Sequence, residues 1–445
     1  MNSKGSSGYL KLLKSNPDFK HLWYGQVVSE LGDWLNSMAI YALILNISGS
    51  GMALAAVMMA KLLPMVVVSP LAGVVVDRTS RKRLMIATDV MRFFVVLGFL
   101  FVHTGDDLWL LYTLTVMEIS LAGFFEPARS AIIPSLVKRE DLVTANALSG
   151  STWSVMLSFG AAAGGVLVAL FGIKVAFILD AVTFLFSGWF ISRIRLVEKK
   201  PESEDPAEPR KGGFADLKEG FQYLRSEPLI LALSLLKPGM AVVGGLMTLI
   251  PLLASQFLKG SAAISLGIGA LYSARGIGAA LGPVVVRKLF GDSSNVLRNA
   301  IACSFFLGAV FYFILSLTVT LWTASLAIGL ATLFGSIIWV FSSSLIHLEA
   351  DKNYLGRVFS TELALLTLVM GISNGMVGFA VDKLKFSPQR VALGIAGMAV
   401  VPGILWVAFL IFLRNRFKEG KCVGTYCPVD PSGFNIAPTE PVKSD

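Results

Sequence analysis

GVVVDRTSRKR, residues 73–83, sets four basic residues and one acid between two long apolar runs. Runs of this kind recur along nearly the whole chain, and at roughly 18 residues or more each is long enough to cross a hydrocarbon core of about 30 Å as a helix. The 445 residues are 55% hydrophobic and only 15% charged, with a mean hydropathy of +0.70. A soluble chain of this size needs a charged exterior that this composition does not supply. The chain therefore reads as an all-α polytopic membrane protein, and GVVVDRTSRKR as one of its connectors.

Working outward from that connector, the apolar runs predict spans near 20–47, 53–76, 84–103, 109–129, 144–169 and 175–193. A second set follows near 228–257, 264–288, 297–317, 322–346, 356–381 and 391–413. That is twelve transmembrane helices in two six-helix bundles, over 20–193 and 228–415. Tails are expected at 1–19 and 416–445, and a linker at 194–227. Within the linker, EKKPESEDPAEPRKGG (198–213) is rich in proline and charge and has no apolar surface to bury. The FADLKEGFQYLRSEP that follows sets Phe214, Leu217, Phe221 and Leu224 on one helical face, as expected of a segment lying along a membrane surface.

Twelve spans put both termini on one side, and the basic residues identify it. Of 38 Lys and Arg, five fall in connectors on one side (Lys174, Lys259, Lys383, Lys385 and Arg390) and four within spans (Lys61, Arg92, Lys237 and Arg275). The remaining 29 lie on the opposite side, which the positive-inside rule makes cytoplasmic. The net charge of +9 is accounted for by orientation, so no nucleic-acid partner is expected. Residues 1–18 are polar and lack a cleavage-type end, so the first span itself is expected to direct insertion into a bacterial cytoplasmic membrane. Cys303 sits in an apolar run. Cys422 and Cys427 have a spacing wrong for a redox CxxC and read as tail cysteines of a reducing compartment.

The halves resemble each other in the same direction. A shift of 209 residues lays SPLAGVVVDR (69–78) over GAALGPVVVR (278–287), and a second match pairs SAIIPSLVKREDL (130–142) with SSLIHLEADKNYL (343–355), where Leu142 meets Leu355. Parallel repeats imply two bundles related by an axis along the membrane normal. The pattern G-x-x-x-D-R-x-x-R-K-R between spans two and three resembles the signature loop of the major facilitator superfamily. GQVVSELGDWL in span one, FFEPARSAIIPSLVKREDLVTANAL around the fourth connector, and GRVFS at 356–360 resemble its drug:proton antiporter-3 branch, which includes macrolide and siderophore exporters. There are departures. The antiporter stretch of span five stands as Gly160-Ala161-Ala162-Ala163-Gly164-Gly165 without its proline, and the R-x-x-x-G of span four is absent.

The ionisable residues inside the spans are the candidate site, because a charge at the bilayer centre is costly and so faces protein or water. Glu30 and Asp33 share a face of span one, and Glu118 lies midway along span four. The resemblance implies that spans one and four line one central path, so these three carboxylates are read as coupling or substrate groups; pairing with a base as a structural tie is the competing reading. Lys61, Lys237 and Arg275 are the mid-depth bases. They are read as neutralising those acids, binding an anionic substrate, or bridging the bundles, with the tie favoured for Lys61. Asp180 and Glu362 are off-centre. Trp34, Phe124, Phe125, Trp153, Trp339 and Phe341 lie near these charges, a setting suited to bulky amphipathic or cationic molecules.

Other chemistries lack their residues. No G-x-x-x-x-G-K-[ST] is present for ATP hydrolysis through a P-loop. His21, His103 and His347 are scattered and form no ligand set, and HTGDD (103–107) reads as a solvated turn, so no metal and no cofactor are expected. A membrane-embedded lipid-modifying enzyme would need a paired catalytic cluster at one interface, and none has suitable spacing. The resemblance therefore implies a monomeric secondary transporter, working by alternating access, that exports a small amphipathic molecule (drug, macrolide or siderophore-like) in exchange for protons across the lipid bilayer. A lysophospholipid carrier of the same fold is the alternative, since that branch also has an acid after a glycine in span one, as in Gly32-Asp33.

Asp77 has the wrong sign for a topogenic anchor, whereas Arg78, Arg81, Lys82 and Arg83 suit one. The resemblance implies that Asp77, presented by the Gly73 loop with Arg78 and Arg81, docks on the N-terminus of span eleven near Gly356 and on Arg129. Asp89, Arg92 and Glu126 would be neighbours in this conformational latch. The second half keeps Arg287 but puts Val286 where Asp77 stands, as a latch needed on one side only would.

Overall fold

The computed structural model describes residues 4–195, 222–291, 293–351, 354–419, 422–424, 426–428 and 436–438. The 198–213 linker and the 214–221 portion of the amphipathic segment lie outside the described residues.

The membrane part is entirely helical. The first half forms α1 (Lys4–Ser15), α2 (Pro17–Ile47), α3 (Gly51–Arg78), α4 (Arg81–Gly98), α5 (Leu108–Leu136), α6 (Leu142–Phe171) and α7 (Ile173–Ser192). The second half forms α8 (Pro228–Ser234), α9 (Leu236–Ala241), α10 (Leu246–Phe257), α11 (Ser261–Phe290), α12 (Ser294–Ser316), α13 (Leu321–Glu349), α14 (Leu355–Asp382) and α15 (Pro388–Lys418). Eleven helical segments among the described residues are long and apolar enough to cross a membrane, with 228–257 counting as one. The twelfth is α2, whose 31 residues include Glu30 and Asp33. Helix starts are written in the sequence. Asn16, Ser50, Ser80, Thr320 and Ser387 accept the free backbone N–H groups of the first turns, and Pro17, Pro228 and Pro388 open their helices, where a missing N–H is harmless.

The chain divides into two compact units. The first comprises 1–210 with 247–276 and 377–384, the second 211–246, 277–376 and 385–445. In the first unit α2 packs along α6 and α7, α3 along α5, and α4 along α5 and α7. Leu12, Phe19, Leu22, Met85, Phe125 and Ile132 close the end of the unit that carries the basic loop. Leu12 belongs to α1, so the polar N-terminal stretch is a docked helix and not a free tail. Asn16 Nδ2 holds it to the Leu136 carbonyl at 2.6 Å. At the opposite end, Asp382 caps α3, accepting from the Ser50 hydroxyl at 2.5 Å and from the backbone N–H groups of Gly51 and Met52 at 2.9 and 2.8 Å. An anion at a helix N-terminus is favoured there. The glycines of the span-five stretch are contact surface. A Cβ on Gly165 would lie 2.7 Å from the Ser265 carbonyl oxygen and 2.9 Å from Gly269 Cα, so α6 and this part of α11 touch backbone to backbone.

In the second unit α12 packs along α13 and α15, around Ile301, Phe305, Ile337, Phe341 and Trp406. Span seven is broken. A turn at Leu235 separates α8 from α9, and a second, over 242–245, separates α9 from α10. Ser373 bridges the second break: its Oγ donates to the Val242 carbonyl at 2.6 Å and accepts from the Gly245 N–H at 2.8 Å. Arg298 and Glu349, buried at 2.7 Å, tie α12 to α13. Beyond α15, Val423 is buried in the core of this unit, and β1 (Tyr426–Pro428) pairs antiparallel with β2 (Ile436–Pro438). Cys422 is disulfide-bonded, and Cys303 is free and exposed.

Candidate functional site

Along α2, Gln26, Glu30, Asp33 and Ser37 recur at spacings of four, three and four residues, the repeat of one helical face. Gly32 brings this helix against α7. A Cβ there would clash with the Thr183 hydroxyl and the Asp180 carboxylate. The close approach sets Asp33 beside Arg92 of α4.

Arg92 lies roughly 16 Å along α4 from Arg81, near the bilayer middle. Its guanidinium donates to Asp33 Oδ1 and stands 3.9 Å from Glu118 Oε1. It also lies 3.9 Å from the centroid of the Phe184 ring, whose face favours a cation. Asn36 Nδ2 donates to the other Glu118 oxygen at 2.8 Å. The Arg92 and Glu118 side chains are 4% and 5% exposed, but that of Asp33 is 39% exposed. Asp33 is thus the least enclosed member of the triad. Asp180 is fully buried beneath Gly32, and its Oδ1 accepts from the Thr183 hydroxyl at 3.4 Å. Asp89 is fully buried beside Gly188.

A second polar string runs toward the basic end. Arg129 pairs with Glu126 at 2.6 Å and donates to Gln26 Oε1 at 3.0 Å; Gln26 Nε2 in turn donates to Glu30 Oε1 at 2.8 Å. Lys61 donates to the Ser37 hydroxyl at 2.6 Å and lies 5.5 Å from the Tyr41 ring centroid. In the second unit Lys237 Nζ is 2.7 Å from Glu362 Oε2, both side chains being buried.

Asp33 and Glu118, read from the sequence as coupling candidates, thus meet, but at Arg92. Glu30 is one turn away and linked through Gln26 to Arg129. Arg275 is half-buried on α11, near Tyr272, whose ring stacks on Tyr41 at 5.6 Å. Lys237 has its partner in Glu362. Among the latch residues, Glu126 and Arg129 pair. Asp89 and Arg92 instead lie in the helix core, because α4 already begins at Arg81 and both are two or more turns inside it. Arg81 Nη1 donates to the Ala131 carbonyl at 2.8 Å, and Lys82 Nζ to the carbonyls of Ser192 and Ile194 at 2.8 and 2.7 Å. Cations on carbonyl ends of helices are favourable, so the basic loop staples α5 and α7 together. Gly73 and Arg78 are exposed, and the Asp77 side chain lies outside the described set. Gln26, Asn36 and Phe184 were not singled out in the sequence. The four–three–four stripe pointed to Gln26, whereas nothing local marked Phe184.

The chain matches the transmembrane secretion effector family over residues 12–417. It belongs to that family. A major facilitator transporter, and not an enzyme, is the consequence. A Bacillus subtilis protein named for bacilysin export is 27% identical over 365 residues, covering 82% of this chain and 88% of that protein. Macrolide efflux protein A of Streptococcus pyogenes is 25% identical over 380 residues, covering 82% and 90%. The fold is also that of the nucleoside transporter NupG (TM-score 0.69, 14% identity, 89% of this chain and 99% of that one). The POT family transporter PepTSo has the same fold (TM-score 0.68, 11% identity, 89% and 98%).

Proposed function

We propose that this secretion effector exports an amphipathic small molecule from the bacterial cytoplasm in exchange for protons, by alternating access, with both termini cytoplasmic. Export is supported by its family and by relatives named for bacilysin export and macrolide efflux. The observation that carries proton exchange is the triad: a partly exposed carboxylate, Asp33, shares a buried arginine with a second, enclosed carboxylate, Glu118.

Protonating Asp33 removes the charge that holds Arg92. The guanidinium then has Glu118, 3.9 Å away, as its ion partner, and α2 is released from α4. Loss of the proton restores the first pairing. Two pairings of one arginine give two arrangements of the helices, and the proton gradient gives their exchange a direction. The test uses proteoliposomes with an imposed pH gradient and candidate drugs, assayed beside labelled lysophospholipid. Gradient-driven drug movement supports the proposal. Gradient-independent flipping of the lipid without drug movement refutes it.

A further inference from the structure

Lys237, Trp339, Phe359 and Glu362 form a small enclosure within the second unit. Lys237 Nζ is 2.7 Å from Glu362 Oε2, 5.1 Å from the Trp339 ring centroid and 5.3 Å from that of Phe359. A carboxylate with two aromatic faces is the chemistry that holds an organic cation. Lys237, Trp339 and Glu362 sit roughly 10–15 Å along their helices from the ends that carry Pro228, Glu349 and Leu355, with Phe359 one turn nearer its end.

Three features separate this enclosure from a plain structural tie. Glu362 is 2% exposed, and its second oxygen, Oε1, has no hydrogen-bond partner among the described residues. A lysine alone therefore leaves the carboxylate half-met, where a structural pair would be expected to be completed. Trp339 is 41% exposed, so the enclosure is open on its aromatic side. Lys237 itself rides on α9, a six-residue piece with a helix break on either side, and it is followed by Pro238 and Gly239. Lys237 thus lies about one turn before the 242–245 turn, where the regular ladder of span seven stops.

We infer that Trp339, Phe359 and Glu362 form the subsite for the cationic group of the exported molecule, and that Lys237 is a tethered stand-in which that group displaces. The inference rests on the proposal that the chain exports amphipathic molecules, and it adds the substrate's charge: one positive centre, amine or quaternary. The bookkeeping is one for one. The enclosure holds a single carboxylate, so it takes the lysine or the ligand but not both, and the displaced ammonium leaves with α9. Substrate binding is thereby linked to movement of the broken span.

The probe is tetraphenylphosphonium, with neutral triphenylphosphine oxide as control, and binding to the purified full-length chain is read in detergent. Lys237→Met should bind the cation about tenfold more tightly than the parent chain and leave the control unchanged. Lys237→Met/Glu362→Gln should lose that gain while eluting as the same folded species. Unchanged or weaker cation binding by folded Lys237→Met would overturn the inference and leave the pair a structural tie. Should Lys237→Met not fold, Trp339→Leu in the parent background decides: weaker cation binding supports the subsite, unchanged binding removes it. Because binding is read without transport, a failed export assay tests the exporter proposal alone.

Discussion

Arg92→Leu removes the cation that stands within 4 Å of both Asp33 and Glu118, leaving Lys61 as the more distant one that attracts both. The carboxylates are not affected alike. Asp33, 39% exposed, is the less enclosed of the two and loses less. Glu118, 5% exposed, keeps the Asn36 amide and the longer-range attraction of Lys61 but has no ion partner in contact. Stripping one partner from a buried ion pair costs about 3–5 kcal/mol, and the partial exposure of Asp33 places this variant near the lower end, about 3 kcal/mol. At roughly 2–4 °C per kcal/mol for a unit of this size, thermal unfolding in detergent should drop by about 6–12 °C. Arg92→Leu/Glu118→Leu removes the stranded charge together with the cation, and apolar replacement of a buried pair is close to neutral. The double variant should therefore recover most of the loss. A double variant no more stable than the single one would show that Glu118 does not depend on Arg92, and the triad would be an accident of proximity.

Gly32→Ala should cost about 1–3 kcal/mol by forcing α2 off Asp180 and Thr183, whereas Gly73→Ala, with nothing within 4 Å of its added methyl, should leave the unfolding temperature unchanged. Lys82→Ala gives up two charge-assisted bonds to the end of α7; a loss of about 1–3 kcal/mol is expected, read from the same melts, and no loss would reduce the loop to a topogenic anchor. Asp77→Asn should slow substrate exchange while cysteine-accessibility labelling reports the same topology. Unaltered kinetics would leave no latch role for Asp77.

Composition and run length made the twelve helices legible, and the caps at Asn16, Ser50, Ser80, Thr320 and Ser387 are local chemistry. The intramembrane acids stood out for the same reason: charge is scarce in these spans. Their partners were not legible. Arg92 was counted within its span but assigned to the latch network, and only the packing of α4 against α2 shows Asp33 as its partner. Glu362 is 125 residues from Lys237, and no periodicity within one span predicts a pairing between two. The breaks in span seven were hidden because Gly239, Gly244 and Gly245 read equally well as packing glycines. The α1 helix was read as tail because its apolar residues, Tyr9, Leu12 and Leu13, are few and acquire meaning only against α6 and the end of α5.

Proton movement during substrate exchange tests the central claim most directly. Proteoliposomes carrying a pH-sensitive dye and no imposed gradient would receive a substrate pulse, with the parent chain and Asp33→Asn compared side by side. The account predicts a dye signal opposite in direction to substrate flux for the parent, and substrate exchange without that signal for Asp33→Asn. An equal proton signal from both would contradict it.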